Sequence, residues 1–224
     1  MSKTYTTTYT RTRTESALAT NSVIRNTYIL LSLTLFFSAL MAGVGMVSGA
    51  APLGFLGLIG AFGLLFLTQA LRNSVWGIVS IFGFTGLLGY SLGPVLNMYI
   101  SHFSNGSEIV MTALGGTGVI FLSLSGYALT TKKDFSYLTG FIAAASMILF
   151  IAIIASLFIQ IPAFHLAISA GIMLLMAGSI LWETSQIIHG GQTNYILATM
   201  SLYLSIYNLF VSLLHILGAL SGRE

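Results

Sequence analysis

Residues 194–218 read NYILATMSLYLSIYNLFVSLLHILG and contain no Asp, Glu, Lys or Arg. A helix needs about 20 predominantly apolar residues to cross ~30 Å of hydrocarbon, and this run is long enough. Its polar residues are not scattered. Ser201, Ser205, Asn208, Ser212 and His215 follow one another at steps of 4, 3, 4 and 3, which places all five on one helical face. A polar group in hydrocarbon is costly unless it pairs or meets water. This face is therefore expected to turn away from lipid, toward another helix or an aqueous cavity.

The preceding run, 163–182 and the residues just beyond it, carries a matching stripe of His165, Ser169, Ser179, Glu183 and Gln186, with Ile172 and Met176 filling its gap. Two polar stripes on consecutive antiparallel helices are expected to face each other or to line a common cavity. One reading is interhelical hydrogen bonding, worth about 0.6 kcal/mol per bond on average. The other is a wet pathway or ion site. Gly190-Gly191 stops the earlier helix, and Thr193 or Asn194 can cap the next. Counted from that turn, Glu183 and Ser205 lie about 10 and 18 Å deep and nearly face each other. Desolvation disfavours a charged carboxylate there unless a cation is close, and Arg72, Lys132 and Lys133 are the candidates. An intramembrane carboxylate is a functional candidate by default, so Glu183, Ser205 and Arg72 form a candidate pore or pH-sensing set.

Five more runs are long and apolar enough to span, at roughly 27–48, 52–70, 75–100, 108–130 and 137–159. The chain is thus expected to be an all-α membrane protein, a bundle of seven transmembrane helices over 27–218 with a short tail at 219–224. Pro52 is expected in the first turn of the second helix, where proline is tolerated. Composition agrees. Of 224 residues 56% are apolar and only 6% charged, against about a quarter charged in a soluble domain, and mean hydropathy is +0.94. So few charges exclude an ordinary cytosolic enzyme, a disordered chain and a nucleic-acid binder. The absence of cysteine excludes disulfides, Cys-ligated metal sites and thiol chemistry.

The first 22 residues, MSKTYTTTYTRTRTESALATNS, are polar and Thr-rich and lack an early apolar region. They are expected to be no cleavable signal. Residues 1–26 are read as a flexible cytoplasmic tail, either simply solvated or a handle for a partner. Lys3, Arg11, Arg13, Arg25, Arg72, Lys132 and Lys133 all fall on one side of the seven-span arrangement, so the positive-inside rule places the N-terminus in the cytoplasm. Glycines recur in three spans: Gly57, Gly60 and Gly63; Gly83, Gly86, Gly89 and Gly93; Gly115, Gly116 and Gly118. Small residues let backbones approach closely in lipid, and internal packing is expected of them rather than a dimer face. Pro94 should kink the third span and is a candidate hinge, with Asn97 expected to answer a freed backbone group. No catalytic set is visible. The four histidines show no HExxH or i,i+4 pair, and the glycine stretches match no phosphate loop.

Specific stretches suggest a family. They are Arg25-Asn26-Thr27-Tyr28, FTGLLGYSLGPVLNMYI at 84–100, TTKKDFSYL at 130–138, HLAISA at 165–170, LWETSQIIHGGQTNYI at 181–196 and SLYLSIYNLFVSLLHILG at 201–218. Together they resemble the Bax inhibitor-1 (TMBIM) family, most closely its proteobacterial YccA branch. The resemblance implies seven helices with the last one central, residence in the bacterial inner membrane and a cytoplasmic N-terminus. It implies no enzyme and no resident cofactor. Many family members are pH-sensitive calcium leaks with two aspartates that share a proton; the matching positions here are Glu183 and Ser205. A Glu–Ser pair does not supply two coupled carboxylates, so a calcium or cation leak stands second. The branch implies the first reading instead: a modulator that binds and restrains the membrane-bound ATP-dependent protease FtsH.

Overall fold

The computed structural model describes residues 22–222. Its seven helices are α1 (Thr4–Val47, described from Ser22), α2 (Gly54–Ala70), α3 (Val75–His102), α4 (Gly106–Thr131), α5 (Leu138–Ser156), α6 (Pro162–Ile188) and α7 (Tyr195–Ser221). Most of the expected tail lies outside the described residues. Ser22–Asn26 continue α1, and Val23 and Ile24 already pack on the core.

Six of the seven helices are long and apolar enough to cross a membrane, and the chain is an all-α, multi-pass membrane bundle. The second differs from expectation. With 17 residues, α2 rises only about 26 Å, short of the ~30 Å hydrocarbon layer. It is a shorter apolar helix that begins after Pro52, not at it. By contrast α6 and α7 have 27 residues each, about 40 Å, which suits two full spans.

The last helix is central. α7 packs against α1, α2, α3, α4 and α6, whereas α5 packs against α6 alone and buries no residue. Leu202, Leu209 and Leu214 of α7 are fully buried or nearly so. Around them Leu31 and Phe84 form one core cluster, and Leu92, Ala113 and Phe210 another.

The closest helix pair is α1 with α3, and glycine makes it so. A Cβ at Gly89 would run into the carbonyl of Ser38, one at Gly93 into the backbone of Gly45 and Met46, and one at Gly86 into the Phe37 ring. Proline has no N–H, so Pro94 leaves the Tyr90 carbonyl without its usual helical donor. That carbonyl lies against Gly45, where a Cβ would collide with it. Asn97 does not serve its own helix as expected; its Nδ2 donates to the carbonyl of Met46, 2.9 Å away. That carbonyl also accepts from the Gly49 N–H at 3.3 Å, so Asn97 ties α3 to the closing turn of α1. α3 itself runs unbroken through Pro94.

The other glycine stripes are different. Gly63, Gly115 and Gly118 have nothing within 4 Å of where a Cβ would stand. The α1–α3 seam is where glycine lets one helix backbone meet another, at Gly45, Gly89 and Gly93; Gly60, Gly171 and Gly218 instead make room for the side chains of Leu87, Leu149 and Tyr99. Gly89→Ala and Gly93→Ala should each lower stability by about 1–3 kcal/mol through overpacking, read as thermal unfolding in detergent. Gly115→Ala should leave it within about 0.5 kcal/mol.

Candidate functional site at the α6–α7 interface

The turn between α6 and α7 fixes the geometry of the site. Gly190 takes φ +76°, the left-handed conformation that suits glycine at a helix end. Asn194 then caps α7, its Oδ1 accepting from the N–H groups of Ile196 and Leu197 at 3.0 and 3.1 Å. The Nδ2 of the same side chain donates to the Arg72 carbonyl and to Asn73 Oδ1. One residue thus starts the central helix and ties it to the loop between α2 and α3.

Glu183 sits just above this turn. Ser201 Oγ donates to Glu183 Oε1 at 3.0 Å, and Ser205 Oγ lies 3.1 Å from both carboxylate oxygens. The two serines stand one helical turn apart on α7, so a single carboxylate bridges them. Among the described residues no cation joins the group. Arg72 instead lines an open hollow with Phe66, Gln69 and Asn73. Glu183 is not sealed. It opens on a cavity of about 210 Å³ whose other walls include Trp182, Gln186, Gln192, Ala198 and Ser201.

The flanks of Glu183 are anchored. Trp182 Nε1 donates to Thr139 Oγ1 of α5 at 2.8 Å, and Ser185 Oγ accepts from the Phe135 N–H at 3.0 Å. Gln186 Nε2 reaches Ser136 Oγ at 3.4 Å. In the same loop, hydrogen bonds from Ser136 hold the exposed Asp134 carboxyl below the usual carboxylate range. The sequence WETSQ at 182–186 therefore serves four directions at once: toward α7, toward α5, toward the loop after α4 and, through Thr184, toward Tyr28 of α1.

The remaining stripe residues are placed as follows. At the far end of the same seam, His215 Nδ1 lies 2.6 Å from Ser169 Oγ, and Ser169 Oγ also donates to the His165 carbonyl. Residue spacing alone did not reveal this Ser–His contact. No carboxylate orients the imidazole among the described residues, so it is a hydrogen bond without the third member a triad needs. Asn208 Nδ2 donates to Leu204 of its own helix. Ser179 and Ser212 are buried. Pro94 lies in α3, away from the Glu183 cavity. Among the described residues no three His, Asp or Glu side chains converge as a metal site would require.

A residue that pattern reading passed over is Tyr203. It is fully buried in α7, and its hydroxyl lies 2.7 Å from Ser38 Oγ of α1 and donates to the Thr85 carbonyl of α3. Its polar atom sits on the face opposite the serine stripe, where a tyrosine reads as apolar. A second link joins Tyr28 of α1 to Ser125 of α4 and, at 3.4 Å, to Thr184 of α6.

Comparison with known proteins is consistent throughout the chain. The family described as "Inhibitor of apoptosis-promoting Bax1" matches residues 20–222. The protein of Escherichia coli K12 named "Modulator of FtsH protease YccA" is 52% identical over 204 residues, covering 91% of this chain and 92% of that one. The "Inner membrane protein YccA" of another E. coli strain, O6:H1, is similar to the same degree. A membrane protein of Vibrio cholerae is 45% identical over 96% of this chain and 98% of its own.

Ser205→Ala removes the hydroxyl that meets both oxygens of Glu183, and Ser201→Ala removes a donor to one. Hydrogen bonds between membrane helices average about 0.6 kcal/mol with a maximum near 1.7. Unfolding in detergent should show a loss in that range for each, larger for Ser205→Ala. The double variant should lose more than either alone.

Proposed function

Since the chain belongs to the Bax inhibitor-1 family, we propose that it is an inner-membrane modulator of the FtsH protease that acts by binding, not by catalysis. The observation that carries this reading is the 52% identity, over nine-tenths of both chains, to a protein named for that role. The name "Inner membrane protein" of another relative supports the compartment. The seven Lys and Arg residues grouped on one side support a cytoplasmic N-terminus.

A physical route is available. The polar segment 1–22 gives an ATP-driven protease something to engage. The described part of α1, from Ser22 on, is interlocked with α3 through Gly45, Gly89 and Gly93. Pulling α1 out of the bilayer would require that seam to part, along with the Tyr203–Ser38 bond. The protease is held by a substrate it releases slowly.

The leak reading is less favoured by the site. Glu183 faces two hydroxyls, and a single carboxylate has no partner with which to share a proton. Glu183, Ser205 and the serine stripe then serve chiefly to hold α6 to α7.

Reconstitution tests both. In liposomes carrying the protease and a membrane substrate, this chain should slow substrate degradation about tenfold, equivalent to about 1.4 kcal/mol. A chain lacking residues 1–22 should not; undiminished inhibition would overturn the tail route. Calcium entry into liposomes of this chain alone should match empty liposomes at every pH. A flux that responds to pH and is lost in Glu183→Gln would establish the leak instead.

A further inference from the structure

α1 and α4 are neighbours in the bundle whose backbones do not come together. Side chains join them at Tyr28, toward the start of the described part of α1, through Ser125 and Phe121, and a gap opens beyond. The gap leads to a cavity of about 280 Å³ between α1, α3, α4 and α7. On α1 it runs from Leu35 to Met46, and on α4 from Val110 to Thr117. At 1.5 Å per residue the α1 wall extends about 17 Å back from near the helix C-terminus. That is close to half of the ~30 Å hydrocarbon layer, or one leaflet.

Its mouth and floor differ in exposure. Ala39, Gly43 and Leu114 form the rim; Leu114 is 64% exposed, and Gly43 has nothing within 4 Å of a Cβ position. Behind them Ala42, Leu92, Leu96 and Phe210 are all buried.

The cavity is unsuited to water. The hydroxyls of Ser38 and Tyr203 are bonded to each other, and that of Tyr203 also to the Thr85 carbonyl. Thr117 donates to the Ala113 carbonyl of its own helix. Tyr207 is left as a lone polar group, whereas a buried water needs two to four partners. Left void, the walls would forfeit the dispersion contacts of one whole side. An engineered apolar cavity of about 150 Å³ stays dry and binds small apolar molecules, and this one is larger. Because the mouth lies between two spanning helices, the material facing it is hydrocarbon.

We propose that this cavity is a lipid site, occupied by one phospholipid acyl chain that enters between α1 and α4 from the leaflet at the α1 C-terminal end. The chain completes the packing that α1 and α4 do not make with each other. The inference is independent of any role toward a protease.

The test uses the full-length protein in phospholipid vesicles that carry a photoactivatable diazirine at mid-chain. Adducts are mapped by mass spectrometry. Labelling is expected on the buried floor at Ala42, Leu92 and Phe210, which lipid merely surrounding the protein does not reach. The exposed face of α5, at Phe141 and Ile148, reports surrounding lipid. Gly43→Phe should fill the mouth and lower floor labelling about tenfold, or about 1.4 kcal/mol in occupancy, with α5 labelling unchanged. Leu114→Trp, on the opposite rim, should act the same way should Gly43→Phe fail to fold. Absence of floor labelling in the unsubstituted protein would overturn the proposal. So would floor labelling that both rim variants leave unchanged, or crosslinks from the floor to a second protein chain in place of lipid.

Discussion

In hydrocarbon every polar atom has to find its partner within the protein, and this constraint organises the whole bundle. Few charges are present, and the hydroxyls take over the work of joining helices. Ser201 and Ser205 meet Glu183, Ser169 meets His215, Ser38 meets Tyr203, and Thr68 meets Ser80 at 2.8 Å. Each pair joins two different helices. Apolar burial alone does not discriminate between helix arrangements in lipid, because the tails outside are as apolar as leucine. The hydroxyl pairs do discriminate, since a wrong arrangement strands them. The central position of α7 agrees with this: it has polar atoms on two faces, the serine stripe toward α6 and Tyr203 toward α1 and α3.

Sequence reading recovered much of this, and its limits are physical. Spans are legible because length and hydropathy suffice to define them; the exception, α2, was lengthened by counting Pro52 and Leu53, which precede the helix. The Asn194 cap was legible because its chemistry is local. Glu183 facing Ser205 was legible because two helices joined by a tight turn have a nearly fixed register. Long-range partners were not. Asn97 sits one turn beyond Pro94 and bonds to Met46 on another helix, a pairing that depends on how α1 crosses α3. The glycines show the same limit. Gly93 and Gly118 look alike as residues, yet one lies against backbone and the other against open space.

The candidate site illustrates how one atom alters what a constellation can do. Ser205 offers a donor where an acid would offer a second negative charge. Two carboxylates at that separation would compete for one proton and couple their titrations. A carboxylate and a hydroxyl instead satisfy each other at any protonation state of the acid, since the hydroxyl can donate or accept. The geometry at Glu183 therefore favours a stable joint between α6 and α7 over a switch. The anchors beside it point the same way: Trp182 to Thr139 and Ser185 to Phe135 extend the joint to α5 and its loop.

The uneven packing of the bundle has a mechanical consequence. Resistance to extraction is set by the helix that is pulled first and by what holds it. The described part of α1 is held at Tyr28, Ser38 and Gly45. α5, by contrast, leans on α6 alone. A force applied through the N-terminus therefore meets a helix secured to three others, α3, α4 and α7. Pulling along α1 loads the seam where Gly45, Gly89 and Gly93 lie against backbone of the facing helix. In this fold the distribution of glycine and hydroxyl groups around α1, more than any single residue, determines how slowly the chain would yield.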